Sequence, residues 1–261
     1  MKPLVDCMEV GVSIERAKEL ISACKLNLSS ETIHLDKANG RILAKGLISK
    51  VNDPRFDNSA MDGWAVKEED CSSTNTTILR IVGTIQAGSE SVHAIESGEA
   101  CKITTGAPIP EGADAIVIVE NSRIEGENVI ITGQAKKSFI RIKGENLSKG
   151  KLAIPEGTCM GSSTISLAAT MGYDEISVFR KPIIGIISTG DELVMPNSEI
   201  KDWQIFESNS FGIAALIEKM GGKPVRYGIV TDSIEQLRET MNDAVDNCDA
   251  LITTGGVSMG D

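Results

Sequence analysis

Residues 182–192 read Pro-Ile-Ile-Gly-Ile-Ile-Ser-Thr-Gly-Asp-Glu. An unbroken apolar run that ends in a small polar turn is the pattern of a strand buried on both faces. Two more predicted strands follow, Pro224–Val230 and Ala250–Thr253. Between them lie two stretches of helical periodicity. The first starts at Ser208 or Asn209, carries Ile213, Leu216, Ile217 and Met220 on one side, and stops at Gly221-Gly222. The second carries Leu237, Met241, Ala244 and Val245, with Asp232 and Glu235 spaced as a capping box. The order β-α-β-α-β predicts a parallel sheet with right-handed crossovers.

In such sheets ligands bind beyond the carboxyl ends of the strands. Each predicted strand ends in a polar turn: Ser188-Thr189-Gly190-Asp191-Glu192, then Thr231-Asp232-Ser233, then Thr253-Thr254-Gly255-Gly256-Val257-Ser258. Parallel strands bring these turns to one rim. Small residues there let backbone N–H groups approach a phosphate, and carboxylates offer oxygen ligands to Mg²⁺. Taken singly, each turn is weak evidence: Asp232 also reads as a helix cap, and Gly255-Gly256 as a plain turn.

Upstream the rhythm differs. Ser13 caps a predicted helix to about Cys24, with Ile14, Ala17, Leu20 and Ile21 on one face. Asp36–Leu43 predicts a second short helix, and Asp53-Pro54 breaks the chain. From Phe56 to Ile142, short apolar runs alternate with Gly, Pro, Asn and Ser, the rhythm of a small β-barrel or sandwich. Leu152–Pro155 reads as extended, and Ser162–Met171 as a helix stopped by Gly172. The expected fold is therefore multi-domain α and β. A helical connecting region takes residues 1–50 and 147–180, a β-domain 51–146, and a partial doubly wound α/β domain 181–261.

Composition removes several function classes. The 261 residues carry a net charge of −11, which disfavours nucleic acid and anionic membranes. No stretch has transmembrane length, and the expected location is the cytoplasm. Aromatic content of 3% gives few base-stacking platforms. Six cysteines without a C-x-x-C pair argue against a zinc or redox motif. The two histidines lie in no catalytic arrangement. Chemistry is left to Asp, Glu, Thr, Ser, Lys and backbone groups.

Two further polar segments stand out. Asp57-Asn58-Ser59-Ala60-Met61-Asp62-Gly63-Trp64 opens the β-domain, and Thr104–Asp114 forms a dense Gly/Pro loop. Arg141, Lys143 and Lys102 supply local positive charge. Together with Gln86-Ala87-Gly88, the Ser188–Leu193 turn and the Thr253–Gly260 loop, these segments resemble the molybdopterin molybdenumtransferase family, which includes bacterial MoeA proteins and the E domain of gephyrin.

The resemblance implies an enzyme that takes adenylylated molybdopterin and molybdate, releases AMP and leaves molybdenum on the dithiolene, with Mg²⁺ assisting. It implies catalytic roles for Asp62, Thr105, Glu192 and Asp232, with Glu192 and Asp232 as metal ligands. It implies pterin binding by Gly255, Gly256 and Ser258; the strand-end turn Ser188, Thr189, Gly190 and Asp191 and the cation Arg141 are further cofactor-binding candidates. It implies a homodimer with the cleft between subunits, and a molybdopterin adenylyltransferase as upstream partner. Asn146 stands where the family usually has Asp, and Trp64 where it usually has Tyr. The family continues beyond position 261, so the chain is expected to be an incomplete form with little insertion activity of its own. Two other readings are weighed: a non-catalytic scaffold of the same fold, and a nucleotide amidase sharing only the α/β domain. The segments at 57–63 and 105–114 argue against the amidase.

Overall fold

The computed structural model describes residues 12–72, 75–89, 94–231 and 233–255. Four helices are present among them: α1 (Ile14–Ala23), α2 (Ser162–Thr170), α3 (Asn209–Lys219) and α4 (Ile234–Asn247). The strands are β1 (Ser30–His34), β2 (Leu47–Ile48), β3 (Asn58–Ser59), β4 (Gly63–Val66), β5 (Thr77–Ile85), β6 (Glu99–Ile103), β7 (Ala115–Ile118), β8 (Ser122–Glu125) and β9 (Asn128–Ile131). They continue with β10 (Ile140–Arg141), β11 (Leu152–Ile154), β12 (Glu175–Phe179), β13 (Ile183–Thr189), β14 (Leu193–Val194), β15 (Ile205–Phe206), β16 (Lys223–Val230) and β17 (Ala250–Thr254). The chain divides into two compact units. One takes residues 33–39 and 43–176, the other residues 1–32, 40–42 and 177–261.

The first unit is built on a six-stranded mixed sheet in the order β7-β4-β6-β5-β9-β8. Its β5–β6 pair is parallel and the other pairs are antiparallel. Successive side chains on a strand point to opposite faces. Trp64, Val66, Ala115 and Val117 accordingly join one apolar cluster with Leu79, Val129 and Ile131. Ala65 and Ile116 join the other with Ile85, Cys101 and Ile103. Both faces of the sheet are thus buried. That explains why β4 escapes a reading by alternation: all four of its residues are buried. Strand β8 escapes it for the opposite reason, being mostly exposed. Gly63 is required where it is, because a Cβ there would lie 1.9 Å from the Val117 carbonyl oxygen.

Two expectations change in the segments outside the six-stranded and parallel sheets. Asp36–Leu43 is not a helix; a single 3-10 turn at Leu35–Lys37 gives way to Gly40 at φ +74°. The segments read as a helical connecting region hold the short strands β1, β2, β11 and β12 as well as α1 and α2. Strands β2 and β11, of two and three residues, are too short to show a period, and β1 and β12 have only five residues each. Helix α2 ends as expected, with Gly172 at φ +81°.

The second unit carries the parallel sheet β16-β13-β17. The central strand β13 buries Gly185, Ile186, Ile187 and Ser188. At the start of the strands the Arg180 guanidinium pairs with both oxygens of Asp249, at 2.6 and 2.5 Å. Asp249 also accepts from the Ile183 N–H at 2.8 Å, so this ion pair ties β13 to β17. Helix α3 ends at Gly221, φ +91°. The cap of α4 is Ser233, whose hydroxyl accepts from the Gln236 N–H, one residue later than the expected capping box. The apolar stripes of α3 and α4 are only partly covered. Ile217 and Ala244 are buried, whereas Leu216, Met220 and Val245 are exposed among the described residues.

Candidate functional site

The first group of candidates lies in the β-domain unit. Ser59, on β3, accepts from the Gly106 N–H and donates its own N–H to the Ala107 carbonyl, at 2.8 and 3.0 Å. These bonds dock the Thr104–Asp114 loop against the 57–63 segment. The Ser59 hydroxyl donates to the Met61 carbonyl at 2.6 Å and fixes the turn that follows. Asp62 then faces Thr105. One carboxylate oxygen accepts from the Thr105 N–H at 2.7 Å and from its hydroxyl at 3.1 Å. The Thr105 N–H, then its hydroxyl, hold the Asp62 carboxyl below the usual carboxylate range. Asp62 is thus an exposed carboxylate with one oxygen committed to Thr105.

Around this pair the loops interlock. The Ala87 N–H donates to the Thr104 hydroxyl at 3.1 Å, which brings the Gln86-Ala87-Gly88 turn to the same edge. Asp57 accepts from the Lys143 N–H at 2.7 Å. Arg141 stands opposite Asn58 in the β3–β10 pair, is exposed, and enters none of the ion pairs found among the described residues. Asp114 serves the structure of the loop, where it accepts from the Glu68 N–H at 2.7 Å and pairs with Lys137 at 2.9 Å. Asn146 donates its amide to Asp53 at 3.3 Å, and its own N–H to the Asp53 carbonyl at 3.0 Å. A second carboxylate at position 146 would sit against Asp53 and repel it.

The second group lies on the rim of the parallel sheet. The register sets Thr189 beside Val230 and Ser188 beside Thr254, so the three strands end level. Gly255 packs so closely that an added Cβ would lie 2.1 Å from the Thr189 carbonyl oxygen. Gly190 has φ +147°, and the Glu192 carboxylate lies where its Cβ would stand. Asp191 and Glu192 are exposed. Ser188 is fully buried, and its hydroxyl donates to Glu207 at 3.0 Å rather than toward the rim. Asp232, Gly256 and Ser258 lie outside the described residues.

Glu207 belongs to none of the motifs read from the sequence. It is 2% exposed. Burial pushes its carboxyl up, but the Ser210 hydroxyl and N–H, the Ser188 hydroxyl and the charge of Arg226 outweigh that and leave it lowered. The signal that could have found it is a carboxylate three residues before Ser210 at the opening of a helix, the spacing of a cap.

Residues 12–172 match the family model described as the MoeA N-terminal region, domains I and II. The chain belongs to the MoeA family. Residues 185–261 match a second model, described as "Probable molybdopterin binding domain". A molybdopterin molybdenumtransferase of a Nostoc species is 38% identical over 236 residues, covering 89% of this chain and 54% of that protein. One from Staphylococcus epidermidis is 35% identical over 258 residues, covering 96% and 61%. Among solved structures, a molybdopterin biosynthesis MoeA protein from Pyrococcus horikoshii is 31% identical with a TM-score of 0.86, covering 94% of this chain and 66% of that one. The chain therefore spans between about half and two thirds of the length of these relatives.

Proposed function

We propose that this MoeA-family chain serves molybdenum insertion into adenylylated molybdopterin, with release of AMP, in molybdenum cofactor biosynthesis. The observation that carries the reading is the Asp62–Thr105 contact. Two residues 43 positions apart, each matching a functional position of the family, share one carboxylate oxygen.

The substrates are anionic: a pyrophosphate-linked pterin and molybdate. The rim offers oxygen donors that are exposed and small residues that admit a backbone. Among the described residues no three His, Cys, Asp or Glu side chains form a metal cage. Mg²⁺ keeps several waters and takes one or two carboxylates. Glu192 and Asp232 would hold it. When bound, it screens the phosphates and polarises the linkage being cleaved. Thr189, Gly190, Asp191 and Gly255 line the rim and bind the pterin and its phosphates through backbone and hydroxyl groups, and Gly256 and Ser258 are assigned the same role from the sequence. Asp62, kept ionised by Thr105, is a poor proton acceptor and a good hydrogen-bond acceptor, so its role is to orient a donor on the substrate or its hydration shell. Arg141 supplies a local cation for an anionic group.

The same reading takes the chain as a cytoplasmic homodimer that receives its substrate from a molybdopterin adenylyltransferase. No helix among the described residues is long and apolar enough to cross a membrane. Helix α1 leaves Ile14 and Ile21 71% and 72% exposed, an apolar face suited to a second copy. Equilibrium binding of adenylylated molybdopterin, with and without Mg²⁺, tests the reading. It expects binding strengthened by Mg²⁺ and weakened in Glu192→Gln. Binding that ignores both Mg²⁺ and the substitution would remove the rim from the site.

A further inference from the structure

Glu207 is a buried carboxylate with no place in the chemistry above, yet every part of it is engaged. Its Oε1 accepts from the Ser188 hydroxyl at 3.0 Å and from the Ser210 N–H at 2.7 Å. Its Oε2 accepts from the Ser210 hydroxyl at 2.6 Å. One step further out, the Thr254 hydroxyl donates to Ser188 Oγ at 3.2 Å, and Arg226 Nε donates to Ser210 Oγ at 2.9 Å.

A hydroxyl has one proton to give. Ser188 and Ser210 give theirs to Glu207, so each must accept from its outer neighbour. Every proton in the chain of five side chains points toward one anion. The members come from β17 (Thr254), β13 (Ser188), α3 (Ser210) and β16 (Arg226), so a single carboxylate ties all three strands of the sheet to the opening of a helix. Two of these contacts fall where they matter for the rim. Ser188 immediately precedes the Thr189–Glu192 turn, and Thr254 immediately precedes Gly255.

We propose that Glu207 is a positioning residue: beneath the rim it fixes how β13 and β17 leave the sheet, and thereby where Glu192 and Gly255 stand. The proposal rests on the reading of the rim as the metal and pterin end of the site. Glutamine cannot replace the carboxylate. Its amide would turn N–H groups toward at least one donor, and a hydroxyl or the Ser210 N–H would lose its acceptor inside the protein.

The test compares the wild-type chain with Glu207→Gln and with Asp249→Asn, which breaks the ion pair at the other end of the same strands. Two quantities are read: backbone amide exchange by NMR at Thr189–Glu192 and Gly255, and Mn²⁺ affinity by electron paramagnetic resonance, Mn²⁺ standing for Mg²⁺. In Glu207→Gln the rim amides should exchange at least about tenfold faster than in wild type, beyond any change in the strand interiors. Mn²⁺ affinity should fall by about tenfold or more, as it does when a group that orients a ligand is removed. Asp249→Asn should lower the melting temperature without either effect. Unchanged rim exchange, or wild-type Mn²⁺ affinity, in Glu207→Gln overturns the proposal. If the wild type binds no Mn²⁺ but Glu207→Gln still loosens the rim, the positioning role stands and the metal reading of the rim falls. Should Glu207→Gln fail to fold, Ser188→Ala removes one link and keeps the carboxylate; rim exchange equal to wild type in that variant overturns the proposal.

Discussion

Asp62 and Thr105 meet through a single oxygen: Asp62 Oδ1 lies 2.7 Å from the Thr105 backbone nitrogen and 3.1 Å from its hydroxyl. The two bonds differ in what a substitution can reach. Thr105→Val removes the hydroxyl and leaves the backbone donor. The Asp62 titration midpoint, followed by carbon-detected NMR, should therefore rise toward the usual carboxylate range without reaching it, because the backbone donor is the larger of the two causes. A midpoint unmoved by Thr105→Val would show that the hydroxyl bond is not formed in solution.

Gly63→Ala should be far more damaging than Gly126→Ala. A Cβ at 63 would meet the Val117 carbonyl oxygen at 1.9 Å, inside the β4–β7 pairing. At Gly126 there is open space and the only obstacle is φ +61°. The turn substitution should cost about 1–2 kcal/mol, and the strand substitution upward of about 3 kcal/mol or the fold itself. Urea unfolding of both variants checks the ranking; equal midpoints would contradict the packing described for β4.

The two tryptophans sit in different surroundings. Trp64 is 1% exposed, and its indole N–H donates to the Ser122 hydroxyl at 2.8 Å, whereas Trp203 is 61% exposed. Trp203→Phe should leave a blue-shifted emission that ordinary quenchers barely reach. Trp64→Ala should cost about 3–5 kcal/mol through the cavity left in the sheet core. A red-shifted, readily quenched spectrum from Trp203→Phe would place Trp64 outside that core.

The Arg180–Asp249 pair gives a pH dependence of known sign. Arg180 above all, with the Ile183 N–H, pulls the Asp249 carboxyl down to about 2. A lowered carboxylate stabilises the fold at pH above its unfolded value and loses that contribution as pH falls toward its folded one. The pair should contribute on the order of 2 kcal/mol at neutral pH. Asp249→Asn should therefore melt lower than wild type at pH 7, and the gap should close between about pH 4 and pH 2. A gap that stays constant across that range would mean the ion pair does not form.

Much of this fold is legible in the residues, for physical reasons that differ along the chain. The parallel sheet announces itself because β13, β16 and β17 are strand-like runs long enough to recognise, separated by helices with caps such as Ser208 and stops such as Gly221. Strand β4 does not, because Gly63, Trp64, Ala65 and Val66 are buried on both sides and follow a polar turn. The pairing of Asp62 with Thr105 is not in the local sequence at all. It depends on Ser59 bridging to Gly106 and Ala107, contacts that close a long loop. Ser188 looks like a rim residue by position, but strand direction does not reveal that its hydroxyl turns inward to Glu207. Glu207 itself is hidden because a lone carboxylate beside Ile205 and Phe206 reads as surface until the groups around it are known.

The proposed function assigns a role in molybdenum insertion to Asp62 and to Glu192. The most direct measurement is AMP release from adenylylated molybdopterin in the presence of Mg²⁺, with and without molybdate, for wild type, Asp62→Asn and Glu192→Gln. The expected result is slow but molybdate-dependent release by the wild-type chain that falls to background in each variant, while all three melt alike. Release that is equally fast in either variant, or that proceeds regardless of molybdate, would contradict it.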